Sequence, residues 1–242
     1  MQSIQKQYTN EMRNKFGYYA TWTPDVHLNL GDIVTIDKNE FTRLDNLVNL
    51  GIPFEILRDN TKSNLEYCSE KGVNIIQKLA GKAAPQGSML KEADAGIIVE
   101  FSKEKSVLFK SENVTSPYID KIISLGKRII EKYNCGDWKK EWFVITELKE
   151  AESATIIISN SNKGKIELKA NADIGATSLN IADASLNFSV AYDTGLSTKI
   201  IASEGITPLF RLMGIKKKGS NNDFSVLSEE YSFELIEDED FE

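Results

Sequence analysis

The stretch IELKANADIGATSLNIADASLNFSVAY, Ile166 to Tyr192, decides the fold. Its even positions read Ile166, Leu168, Ala170, Ala172, Ile174, Ala176, Ser178, Asn180, Ala182, Ala184, Leu186, Phe188, Val190 and Tyr192, and none is charged. The odd positions include Glu167, Lys169, Asn171, Asp173, Thr177, Asp183, Asn187 and Ser189. A repeat of two is the pattern of a strand with one face covered, so the stretch predicts two strands of roughly 10 residues joined through small residues. Two readings fit. Any half-buried antiparallel hairpin alternates in this way against its own core. Tilted strands of about that length also suffice to cross a bilayer in a barrel.

Working outward, Phe143-Val144-Ile145-Thr146 and Thr155-Ile156-Ile157-Ile158 read as buried strands separated by Glu147 to Ser153. Gly96 to Lys110 reads as a hairpin around the polar turn Ser102 to Ser106, within a hairpin region at about 71 to 110. From Pro117 to about Tyr133, Ile119, Ile122, Ile123, Ile129 and Ile130 form one face of an amphipathic helix, with Thr115 or Ser116 placed to cap it. Residues 1 to 15 are helix-compatible and lead into an aromatic, strand-like run from Phe16 to Trp22. His27 to Ile36 is a further strand, with a bend at Gly31-Asp32. Phe41, Leu44, Leu47 and Leu50 have helical spacing ahead of Gly51. The fold class expected is α+β, a twisted and mostly antiparallel sheet with packed helices.

The composition excludes several chemistries. With 242 residues, 41% of them hydrophobic and 27% charged, the chain can bury a sizeable core as one domain. His27 is the only histidine, and its place near a strand start points to a structural role. Cys68 and Cys135 stand far apart without a CxxC pair, so both read as core thiols and neither as a zinc ligand. No glycine loop of nucleotide-binding type and no HExxH motif occurs. The expectation is a protein that is not an enzyme, with no catalytic residue, no metal and no cofactor. The N-terminal residues carry no signal-peptide pattern and no long apolar run follows, which predicts an intracellular protein.

Charge is unevenly distributed. The formal net charge is −7, but residues 219 to 242 hold nine acids and no base, leaving 29 basic against 27 acidic residues elsewhere. The chain therefore divides into a β-rich body, 1–218, and an acidic C-terminal tail, 219–242. Lys216, Lys217, Lys218, Gly219 and Ser220 form the junction. One reading of the tail is a solvated, solubilising end. The other starts from Tyr231, Phe233 and Leu235, which alternate with their neighbours as in a strand, and makes the tail a cover over a basic or apolar surface. The overall acidity speaks against a nucleic-acid partner.

The order of hairpin, Pro117–Tyr133 helix, Trp142-Phe143-Val144-Ile145-Thr146-Glu147-Leu148 and alternating segment resembles the pore-forming domain of the gasdermins, the short bacterial members in particular. No feature of that family matches Tyr19 to Pro24 or Leu30-Gly31-Asp32, and no cysteine near the N-terminus offers a lipidation site. The resemblance implies a gasdermin-like arrangement and a pore-forming role in cell death and antiviral defence. A protease would remove the tail within the cleavage linker Lys216 to Ser220, and the protein would move from the cytoplasm to the inner membrane as a homo-oligomer. Anionic lipids would be met by Lys163, Lys165, Lys169, Lys199 and Arg211. Ile166, Leu168, Leu186, Phe188 and Val190 would enter the bilayer. The competing expectation is a non-enzymatic binding module or scaffold, with Tyr18, Tyr19 and Trp22 as interface or core.

Overall fold

The computed structural model describes residues 3–37, 40–171, 178–217 and 231–237. In chain order the elements are α1 (Ile4–Phe16), β1 (Tyr19–Ala20), β2 (Asp32–Asp37), β3 (Glu40–Asn46), β4 (Ile56–Leu57), β5 (Ser63–Cys68), β6 (Val73–Lys78), β7 (Gly96–Phe101), β8 (Val107–Val114), β9 (Tyr118–Ile119), α2 (Ile122–Asn134), β10 (Phe143–Ser159), β11 (Lys165–Lys169), a short 3-10 turn (Ala184–Leu186), β12 (Ser189–Thr194), β13 (Leu196–Lys217) and β14 (Tyr231–Leu235). Among the described residues about 46% are strand and 14% helix, in two antiparallel sheets and two helices, so the α+β class holds. Two compact units divide the chain: Met1–Val26, Thr61–Thr115 and Glu150–Pro208 form the first, His27–Asn60, Ser116–Lys149 and Leu209–Glu242 the second.

The first unit is a four-strand arrangement folded at a common line. One sheet has the order β12-β11-β7-β6, and β13, β10, β8 and β5 neighbour one another in the corresponding order. Each strand therefore passes from one sheet into the other through a short bend. The bends are tied together by backbone bonds: Ser69 N to Val107 O and Ser159 N to Ser106 O are both 2.9 Å, Ser102 N to Gly72 O is 3.0 Å, and Phe101 N to Gly164 O is 2.8 Å. Asn160 N to Gly195 O, at 3.0 Å, extends the line to the last strand. Strands that switch sheets in this manner enclose a core between the two halves. Ile97, Val99, Ile166 and Leu168 on one side meet Leu108 and Ile157 on the other. Gly195 lies on this line with φ +63°, where a Cβ would come 2.8 Å from that of Ser161, so only glycine fits.

α1 covers part of the same unit. Ser3 caps it by accepting from Lys6 N at 3.1 Å, and Gly17, at φ 72°, closes it with N–H donated to Arg13 O. Tyr8 and Met12 are buried. Leu179 and Ile181 join the core from the connection between β11 and β12, held where Thr155 Oγ1 donates to Ile181 O and Ser153 Oγ donates to Ala182 O, both at 2.6 Å.

The second unit pairs β2 with β3 and with the start of β10, whose Phe143 and Val144 face Val34 and Ile33. Asp32, fully buried, organises the entry to β2: it accepts from Asn29 N and Asn46 Nδ2 at 2.9 Å and pairs with Arg43 at 3.0 Å. β9 links β4 to β10.

Several expectations are corrected. β7 and β8 do not pair as a hairpin; β7 pairs with β6 and β11, and β8 with β5 and β10. β7 and the Val107–Phe109 start of β8 are apolar and buried on both faces, so each needs two neighbours, and the polar turn between them is one of the bends. The wider hairpin region at 71–110 is present as β6 and β7 joined through residues 79–95. Phe41 to Leu50 is strand followed by turn: pairing with β2 prevails over the helical spacing, and Leu44 is exposed. Phe143 to Ser159 is one uninterrupted strand, because β2, β9, Thr115 and β8 pair with it in turn along its length. The helix begins at Ile122 rather than Pro117, since Tyr118–Ile119 pairs with β4, and its cap is Lys121 with no side-chain bond. Only Tyr19–Ala20 of the aromatic run is strand.

Candidate functional site

The described part of the tail is held as a strand. β14 lies antiparallel on the end of β13, Leu235 opposite Met213 and Tyr231 opposite Lys217. Ile236 is buried and its N–H donates to Leu212 O at 3.0 Å. The side chains of β14 meet α2: the rings of Tyr231 and Tyr133 stand edge-on, 5.0 Å apart, and Phe233 packs on Gly126 so closely that a Cβ there would come 2.9 Å from that of Phe233. A glycine in a helix interior costs up to about 1 kcal/mol, and here it admits the tail. That glycine is the sequence signal for the docking site. Of the linker, Lys216 and Lys217 belong to β13, opposite Ser232 and Tyr231, while Lys218, Gly219 and Ser220 lie outside the described residues.

The expected lipid-contacting cations divide between the two units. In the first unit Lys163 is exposed on the bend before β11. Lys165 reaches Glu167 at 2.7 Å, Lys169 reaches Asp94 at 2.7 Å and Lys199 reaches Asp193 at 2.6 Å. Arg211 belongs to the second unit and pairs with Glu147 at 3.0 Å. Four of the five are thus neutralised by a carboxylate in the folded chain.

The expected membrane-inserting residues divide as well. Ile166 and Leu168 on β11 are fully buried, Leu186 is buried in the 3-10 turn, and Phe188 packs against the same core. Val190 alone is open, at 45% exposure, on β12, whose six residues are all exposed at the sheet edge. The two long alternating strands are shorter than expected: β11 pairs with β12 from Lys165 opposite Thr194 to Lys169 opposite Ser189, with a bulge at Glu167/Leu168, and residues 172–177 lie outside the described part. Alternation also fails at Glu167, a polar position that is fully buried. Its carboxylate accepts from Ser88 Oγ at 2.9 Å and Met89 N at 2.7 Å. Burial opposes its ionisation, but Lys165, the Met89 amide and Ser88 together hold its pKa below the ordinary glutamate value.

The thiols and the histidine are not core groups. Cys68 and Cys135 are free and exposed, and His27 is exposed on the loop ahead of β2. Partial desolvation raises the Cys68 pKa, with Lys110 pulling the other way, so its thiol stays protonated at neutral pH and is a poor nucleophile. Tyr18 is buried, Tyr19 lies under Arg13 at 4.0 Å, and Trp22 packs 6.1 Å from Tyr8, all serving the fold around α1. Among the described residues no group of three His, Cys, Asp or Glu could hold a metal ion. No helix among them is long and apolar enough to cross a membrane.

Sequence reasoning missed an exposed apolar set in the second unit. Leu57 and Tyr118 face each other across the β4–β9 pair, next to Ile56, and Ile123 on α2 is 76% exposed. No protein-family model matches the chain, and no curated protein matches it significantly.

Proposed function

We propose that the chain is a membrane-pore-forming effector restrained by its own C-terminal strand and activated by proteolysis between β13 and β14, in the manner of the gasdermins. The observation that carries this reading is β14 on β13 with Phe233 against Gly126: a short terminal strand, attached through an acidic segment, covers a sheet edge and a helix face. Removing it frees the backbone of Met213 to Lys217 and uncovers α2 at Gly126 and Tyr133.

Insertion then requires longer strands. In the sheet formed by β6, β7, β11 and β12, the hairpins can lengthen into the connections 79–95 and 170–188, and closure of a ring of copies satisfies every backbone group in the bilayer. Ile166, Leu168 and Leu186 turn from the core to lipid, while Lys165, Lys169 and Lys199 exchange their carboxylates for anionic head groups. On this reading the protein works without a cofactor, its partners being a protease, anionic lipid and further copies of itself, and it passes from the cytoplasm to the inner membrane.

The test is dye release from anionic liposomes by the full chain and by protein cleaved between Lys218 and Leu227. Leakage confined to the cleaved form is the expected result. Silence from both sinks the pore reading and favours a binding module, for which the open edge of β12, with Val190 and Tyr192 exposed, offers a place to add a partner's strand.

A further inference from the structure

The connection between β6 and β7, residues 79–95, is fastened to β11 by charged groups. Lys78 is buried, and its ammonium donates to Glu92 O at 3.1 Å and Asp94 O at 2.6 Å. The Asp94 carboxylate pairs with Lys169 at 2.7 Å. Glu167, on the same strand as Lys169, takes the Ser88 hydroxyl and the Met89 amide, while its other oxygen lies 2.7 Å from Lys165. Ala170 N donates to Ala95 O at 2.9 Å, and Leu90 is the one large apolar side chain of the connection that is buried.

We propose that residues 79–95 are a clasp, which must come off β11 before the sheet of β6, β7, β11 and β12 can lengthen. The inference rests on the pore reading and adds a second restraint to the tail. Its chemistry suits a device that opens. An apolar clasp would expose its whole contact face to water, whereas lifting this one returns Glu167, Lys165, Lys169 and Asp94 to hydration. Buried ion pairs stand near balance between attraction and desolvation, so the clasp opens at low net cost. It also occupies the chain that the lengthened hairpin needs: while Met89 is bonded to Glu167, residues 79–95 cannot continue the ladder of β6 and β7.

Glu167→Gln tests it, since the amide keeps the shape and loses the charge. In the full chain, backbone hydrogen exchange across residues 82–91 should speed up about tenfold, the effect expected for losing one charge-assisted hydrogen bond, with β8 and the second half of β10 unchanged. After cleavage of the tail, the variant should release liposome dye several-fold faster than the cleaved parent. Unchanged exchange in 82–91 overturns the clasp, and so does faster exchange with equal or slower leakage. Should Glu167→Gln fail to fold, Asp94→Asn, which removes the charge paired with Lys169 from the clasp itself, is read in the same two assays. A cleaved parent that releases no dye overturns the pore reading instead, and the exchange data alone then decide whether the clasp exists.

Discussion

The folded-over sheets of the first unit and the tail strand of the second are both antiparallel β-structure, yet they are held by different means. β7 and β11 are covered on both faces and paired on both edges, and Gly164, at the bend ahead of β11, leaves no room for a side chain. β14 has one paired edge, and its Tyr231, Ser232 and Phe233 are half-buried while Glu234 and Leu235 are exposed. Burial of apolar area, at about 25 cal/mol per Å², sets the difference. The first cannot be removed without unfolding its unit. The second can leave and take little with it, which is what a restraint requires.

The comparison breaks most severely at Gly96. A Cβ there would stand 2.2 Å from the carbonyl oxygen of Leu168, a backbone atom in the neighbouring strand that cannot move aside. Gly96→Ala is expected to cost about 3 kcal/mol, the upper part of the usual range for overpacking, and to lower the urea midpoint of the first unit. A loss below about 0.5 kcal/mol, well under that range, would mean that β7 and β11 are less tightly joined than their register states.

The tail gives a smaller effect with a revealing sign. Phe233→Ala removes the side chain that meets Gly126 and is expected to weaken tail docking by about 1–2 kcal/mol, seen as faster hydrogen exchange at Met213 to Lys217. Gly126→Ala should loosen the tail too, by steric contact with Phe233, while favouring α2 itself by up to about 1 kcal/mol. In a chain ending at Lys218 the same substitution should therefore raise the melting temperature. If it lowers it, something other than the tail requires that glycine.

This pairing also shows what was readable in the residues. The tail strand was legible because Tyr231, Phe233 and Leu235 alternate, and α1 because residues 1 to 15 are polar and helix-compatible. The folding of one sheet into two was not, because Ser102 to Ser106 has the composition of a hairpin turn whether the chain reverses or only bends. What decides between them is the number of neighbours that β7 and the apolar start of β8 require, a property of the whole sheet. Phe41 to Leu50 failed for a related reason: four apolar residues at helical spacing are a weaker instruction than six paired positions on β2. Of the proposed site, the cations were visible as residues, but the pairing of Lys169 with Asp94 was not, since the two lie far apart in the chain.

Acid should separate the two regions further. The hydrogen bond from Lys169 holds the Asp94 pKa below its usual value, and Glu167 is also lowered, its hydrogen bonds with Lys165, the Met89 amide and Ser88 outweighing burial. Groups with depressed carboxylate pKa values contribute stability that is complete above the ordinary range of about 3.9 to 4.3 and is lost as pH falls through the lowered values. Hydrogen exchange in 82–91, corrected for its intrinsic pH dependence, should therefore rise below about pH 4, and less so in Glu167→Gln. Equal acid sensitivity in parent and variant would assign the loosening to other carboxylates.

The smallest effect is expected at Lys199, and it separates stability from membrane contact. Its pair with Asp193 is short, at 2.6 Å, but the two side chains are 40% and 31% exposed. Partly exposed pairs of this kind contribute about 0–1 kcal/mol, because water already solvates both charges and ordering two side chains offsets the attraction. Lys199→Met should thus leave the urea midpoint almost unchanged. Its effect on the cleaved protein should be larger in proportion: a cation near an anionic surface adds about 1 kcal/mol of attraction, so binding to anionic vesicles should fall about fivefold, and the deficit should shrink as salt rises. Neutral vesicles should not distinguish variant from parent. If binding to anionic vesicles is also unaffected, Lys199 keeps its carboxylate at the membrane, and the exposed edge of β12 is a surface for protein and not for lipid.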